Sequence, residues 1–321
     1  MEKLIITNIG QLITLAGNSL PRTKETLAEL SIIESAAIIC NKGVIEWLGQ
    51  EKDLSYSDDC LVLDANKSVV TPGLVDAHTH PIFSGSRENE YELRILGKTY
   101  QEIAASGGGI RSSVRRTRSA SKPDLLVESR QHTDLLLSHG TTTAEAKSGY
   151  GLSLKDEIKS LEVIKEINSE GNIELVPTFL GAHEIPDEYR SNRKAYINIL
   201  IEEMLPFVAK ANLAEYCDIF CESHVFSIDE SREILSKAKE YSLKLRLHAD
   251  QLTLSGGAKL AAELKAATAD HLEHIDDDSI AALKEASVMP VLLPGSVFHL
   301  GLKQYPPARK MIEAGLAVVI A

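Results

Sequence analysis

The stretch Gly73–Arg87, GLVDAHTHPIFSGSR, decides how the rest of the chain is read. A largely apolar strand runs straight into two histidines spaced i, i+2. Side chains two apart on a strand share a face, so Asp76, His78 and His80 point the same way. Paired imidazoles are awkward core residues and natural metal ligands. The surrounding sequence has to supply the fold that would bring a further ligand to them.

Downstream of Pro72, short β-like runs alternate with helical patterns, the mark of βα units and a parallel sheet. Eight such runs are readable: 73–80, 141–149, 173–184, 216–224, 243–251, 267–274, 288–295 and 316–321. Between them, Ser153 is placed to cap a helix with Asp156 and Glu157 in its first turn and Gly171 at its end. Ser227 opens another, with Ile234, Leu235 and Ala238 on one face. The expected fold is α/β: a (β/α)8 TIM-like barrel over residues 72–321, ending at strand 8, with its active site at the C-terminal strand ends.

Upstream, residues 1–71 read as short strands and turns: KLIITNI, QLITLA, AAIICNKGVIEWLG and CLVLDANKSVV. Asn41 to Gly43 is a hairpin-turn signal. This segment is too thin to bury a core alone and is expected to be the N-terminal part of a small β-sandwich domain.

Composition narrows the function classes. In 321 residues, 34 basic and 46 acidic side chains give a net charge of −12, which argues against a nucleic-acid surface. The basic run Arg111–Arg118, RSSVRRTR, has no interleaved aromatics for base stacking and reads as a solvated surface or an anion-facing loop. The four cysteines follow no zinc-finger or secreted-disulfide spacing, and Cys217 and Cys221 read as buried thiols. With no signal-peptide pattern and no membrane-length apolar run, a cytoplasmic enzyme without membrane or nucleic-acid partners is expected.

Polar residues gather where the predicted strands finish. Of ten histidines, seven (His78, His80, His183, His224, His248, His271 and His274) lie at or near those ends. On strand 5, Leu243, Leu245 and Leu247 form an outward face, so Lys244, Arg246 and His248 point inward. His248 is therefore placed to join His78 and His80, and three imidazoles favour zinc or a comparable transition metal. His224, His274 and His299 read as hydrogen-bonded loop residues. Glu145 and Lys147 read equally as an interior ion pair or as functional groups.

The blocks PGLVDAHTHPIFSGSRENEYELRILGKTYQEIAASGGGI, TTTAEAKSGYGL, TFLGAHEIP, LRLHADQL, ADHLEHI and LLPGSVFHLG resemble, in order, the imidazolonepropionase family of the amidohydrolase superfamily. The resemblance covers essentially the whole chain. It implies hydrolysis of 4-imidazolone-5-propanoate to N-formimino-L-glutamate, in histidine degradation, with one zinc or iron ion and a possible homodimer. It implies His78, His80 and His248 as metal ligands, and Arg87, Tyr150, His183 and Gln251 as substrate contacts. His271 is implied to help in proton transfer or to hold the metal-bound water, and the residue chemistry of His183 and Tyr150 suits them to donate hydrogen bonds to the developing oxyanion or to the ring.

Two departures from the family pattern stand out. Gln251 occupies a position where some relatives have glutamate, and an amide cannot act as a base. The pattern also places a further ligand, an aspartate, just after strand 8, followed by a helix and strands completing the sandwich. The chain ends at Ala321 and is expected to be a fragment. The alternatives are another cyclic amidohydrolase or deaminase of the superfamily, or an inactive fragment.

Overall fold

A computed structural model describes residues 3–56, 60–98, 102–103 and 106–321. The chain divides into two compact units, Met1–Gly73 and Leu74–Ala321.

The first unit is one five-stranded sheet, with no second layer among the described residues. Strand β1 (Lys3–Ile13) pairs antiparallel with β2 (Ile32–Asn41), which pairs with β3 (Val44–Gln50), while β4 (Leu61–Asp64) and β5 (Val69–Val70) run parallel to β1. The two runs expected at KLIITNI and QLITLA are one strand with a register shift between Ile6 and Ile9. Asn8 has a φ of 52° there, so a bulge keeps the ladder going where the sequence pattern breaks. The β2–β3 hairpin turns at Lys42 and Gly43, with φ values of 50° and 82°. Both central residues are left-handed, as the tight two-residue turn requires.

The second unit is the expected barrel. Eight parallel strands follow chain order: β6 (Leu74–Thr79), β7 (Thr141–Lys147), β8 (Glu174–Ala182), β9 (Tyr216–Cys221), β10 (Lys244–Ala249), β11 (Thr268–His271), β12 (Met289–Leu292) and β13 (Val319–Ile320). The last strand returns beside the first, so the sheet nearly closes on itself. Each strand ends a few residues before the sequence pattern suggested, because the polar residues beyond belong to the loops at the mouth.

Local signals set the helices. Ser153 Oγ accepts from Asp156 N at the start of Leu154–Glu170, and Gly171, at φ 74°, ends that helix. Ser227 and Glu230 form a reciprocal capping box at Ile228–Glu240. Leu161, Ile164, Ile234, Leu235 and Ala238 are buried with Leu243, Leu245 and Leu247 in one core cluster. Lys244 departs from the expected inward set: it is exposed, its ammonium 5.0 Å from the Tyr216 ring centroid. It begins its strand, where the barrel floor meets water. Residues Arg111–Arg118 form a helix (Ile110–Ser119) rather than a loop, and Arg111 and Arg118 pair with Asp187 and Glu188. Cys217 and Cys221 are buried free thiols. Among the described residues no helix is long and apolar enough to cross a membrane.

Candidate metal centre and active site

Strands β6 and β10 bring three imidazoles together. The Nε2 atoms of His78 and His80 are 3.3 Å apart, and His248 Nε2 lies 3.3 Å from His80 Nε2. One nitrogen from each ring lies within 4.8 Å of the other two. A tetrahedral zinc ion with nitrogen ligands at ~2.0–2.1 Å spaces those ligands about 3.3–3.4 Å apart. Lone pairs held this close repel unless a cation lies between them, so the donor set fits one transition-metal ion.

The tautomers agree with that fit. His78 Nδ1 donates to Asp270 Oδ2 at 2.6 Å, and His248 Nδ1 lies 3.0 Å from Asp218 Oδ2. A carboxylate behind Nδ1 keeps the proton there and leaves the Nε2 lone pair for a ligand. Burial, reinforced by Lys147 and neighbouring imidazoles, holds His78 well below the usual histidine range. Burial beside His183 and His248 does the same for His80, and burial outweighs the pull of Asp218 at His248. All three rings are therefore neutral, the form that binds metal.

Below the rings lies a charged layer. Glu145, Lys147, Asp218, Arg246 and Asp270 are all buried. Lys147 Nζ reaches Glu145 Oε1 at 2.7 Å and Asp218 Oδ2 at 2.8 Å. Arg246 donates to Asp270 Oδ2 at 2.9 Å and to the Ala77 carbonyl. Glu145 accepts from Thr79 N, between His78 and His80 in the chain. Three carboxylates face two cations, and a bound ion would offset the remaining negative charge. Burial works against the Asp218 carboxylate, but His248, Lys147 and Arg246 together hold it well below the usual carboxylate range.

The remaining site candidates share one cavity. About 160 Å3 in volume, it is bounded by Arg87, Tyr150, His183, His248, Gln251 and His271, with His299 at its edge. A second opening of about 480 Å3 shares Arg87, Tyr150 and His299 with it. The His183 ring stacks on His80 at 5.1 Å and lies 5.2 Å from Tyr150. Its Nδ1 faces the Gly149 carbonyl at 2.9 Å, and burial pulls its pKa down to about 3. Nδ1 therefore carries the proton, and Nε2 is an acceptor rather than the donor expected from the residue type. Burial likewise raises the Tyr150 phenol, which remains a donor. The His271 ring is 5.2 Å from those of His78 and His248. It owes that position to left-handed backbone at His271 and Leu272, φ 79° and 69°, which turns the chain at the end of β11.

Several residues play parts that sequence reasoning did not assign. Asp218 was missed; its signal is one acid inside the apolar run YCDIFC, in alternation with Tyr216 and Phe220. The Glu145–Lys147 pair is an ion pair, one of its two readings, and it also reaches Asp218 and Asp270 behind His248 and His78. His299, read as a loop residue, lies on helix Pro294–Leu300, where Arg94 Nη1 meets its Nε2 at 2.6 Å. Asp250 and Glu222, at strand ends, serve the scaffold. Asp250 accepts from Gly256, Gly257 and Ala258 N at a helix start, and Glu222 accepts from Leu252 and Thr253 N.

Comparison with known proteins adds the family. Residues 69–320 match the amidohydrolase family. An imidazolonepropionase from Solibacter usitatus is 54% identical over 100% of this chain and 77% of its own length. One from Streptococcus pyogenes is 45% identical over 99% of this chain and 76% of its own. Among solved structures, guanine deaminase from C. acetobutylicum superposes with a TM-score of 0.65 at 17% identity, covering 99% of this chain and 74% of that one. N-isopropylammelide isopropylaminohydrolase from Burkholderia multivorans gives 0.65 at 17%, covering 100% and 74%. At that identity the structural likeness speaks for the fold alone.

Proposed function

The chain belongs to the amidohydrolase family and, within it, to the imidazolonepropionases; from that premise we propose that it opens the cyclic amide of 4-imidazolone-5-propanoate, in histidine degradation, at its three-histidine site. It is a hydrolase acting on a C–N bond of a small molecule, and its family is metal-dependent. The observation that carries the reading is the convergence of His78, His80 and His248 Nε2 beside a cavity that also holds Arg87.

In this reading His78, His80 and His248 hold one zinc or iron ion, the all-imidazole set favouring a transition metal over magnesium or calcium. When bound, the ion supplies Lewis-acid activation of water and of the ring carbonyl. Arg87 clamps the propanoate, since a guanidinium matches a carboxylate with two parallel N–H bonds. The His183 Nε2 lone pair accepts a ring N–H, and the Tyr150 hydroxyl donates to the carbonyl oxygen as charge develops there. Gln251 presents an amide to the ring and takes no proton. His271, beside the ligand rings, passes a proton to the departing ring nitrogen. Water adds to the carbonyl carbon, the C–N bond breaks, and the product is N-formimino-L-glutamate. A cytoplasmic location and a homodimer belong to the same proposal.

A version of the protein extended to the length of its relatives and supplied with zinc or iron should convert imidazolone propanoate to N-formimino-L-glutamate. Arg87→Ala should raise KM by roughly 10- to 100-fold, the cost of losing a hydrogen-bonded charge partner. Absence of product, or an unchanged KM in the variant, would contradict the substrate assignment.

A further inference from the structure

Lys147 is fully buried on β7 and lines neither cavity of the site. Neither substrate binding nor metal coordination uses an ammonium there. Its contacts lead elsewhere. The Asp218 oxygen that accepts from Lys147 at 2.8 Å is the one lying 3.0 Å from His248 Nδ1. The other oxygen of Asp218 accepts from Ile219 N at 2.7 Å, so both ends of the carboxylate are fixed. Lys147 also lies 4.0 Å from the Asp270 oxygen that holds His78 Nδ1.

Resting on the metal-site reading above, we infer that Lys147 is a positioning residue: it pins Asp218 and thereby aims His248 Nε2 at the metal. Charge alone would argue the reverse. A cation near the site repels a metal ion, so its removal should tighten metal binding. Positioning predicts weaker binding. The two accounts differ in sign, which makes the role measurable without reference to catalysis.

The Lys147→Met variant replaces the ammonium by an apolar group of similar length. Glu145→Gln is the control, and Lys147→Met/Glu145→Gln restores the charge count of the buried layer while leaving Asp218 unpinned. Each protein is titrated with Co2+ in competition with a chromophoric chelator, and folding is checked by circular dichroism. Lys147→Met should bind Co2+ about 10- to 100-fold more weakly than the parent, the range for losing a group that orients a ligand. The double variant should be weaker than Glu145→Gln by a similar factor. Binding by Lys147→Met as tight as the parent, or tighter, overturns the inference. Should that variant fail to fold, the charge-balanced double variant decides: affinity equal to Glu145→Gln overturns the inference. A parent that takes up no Co2+ would sink the metal-site reading itself, an outcome separate from either variant result.

Discussion

The His183 imidazole stays neutral because it is buried, and the carbonyl of Gly149 fixes which nitrogen bears its proton. That has a consequence for stability. In the unfolded chain the ring takes a proton near pH 6.5, whereas in the folded barrel it resists protonation to about pH 3. Between those values the unfolded state binds more protons, so stability present above pH 6.5 is lost as pH falls. For one such ring the loss is about 1.4 kcal/mol per pH unit. His78, His80 and His248 are shifted in the same direction by burial and add to it. Urea midpoints of the metal-free chain should therefore drop clearly between pH 7 and pH 5.5. A flat profile over that range would show that these rings are not held neutral. At this scale the sequence exposes the H-x-H pair and His248, because strand alternation is local. Asp218 stays hidden, because its meaning depends on Lys147 and His248, 71 and 30 residues away, and of Lys147 only the pair with Glu145 is legible.

The loop after β7 shows how elements carry the site. Glu157, in the first turn of helix Leu154–Glu170, accepts from the backbone N–H groups of Gly149, Gly151 and Leu152. One carboxylate thus gathers the loop that presents Tyr150 and, through the Gly149 carbonyl, His183. Gly149 has φ 107°, and a Cβ there would stand 3.0 Å from Leu180 and 3.1 Å from His183 Nδ1. Glutamine at 157 offers one acceptor oxygen in place of two and no charge. Glu157→Gln should lower unfolding stability by about 2 kcal/mol, within the range for bonds to a buried charge, and raise KM through the loop. A urea midpoint and KM both matching the parent would dismiss the loop-gathering role. The caps at Ser153 and Ser227 are legible in sequence because each is satisfied within three residues. The Glu157 staple is hidden by its setting: the same glutamate reads as an ordinary acidic residue in a helix's first turn.

Across the whole molecule, the alternation of strand and helix patterns was enough to read eight parallel strands, because a parallel sheet forces a crossover after each one. What the pattern blurred was where strands stop. Glu222 and Asp250 stand where strand-end site residues would, yet both are hydrogen-bonded into the mouth loops as scaffold. In the first unit the strand pattern is legible, but the bulge in β1 interrupts it and gives one strand the look of two. The barrel centre then sets its own requirement: three neutral imidazoles over a buried layer of three carboxylates and two cations. The central claim is that this arrangement holds a metal ion through three histidines. X-ray absorption at the metal edge of the zinc- or cobalt-loaded chain tests it most directly. The account predicts one ion per chain with three imidazole nitrogens at about 2.0–2.1 Å; a metal shell lacking imidazole scattering, or no retained ion at all, would contradict it.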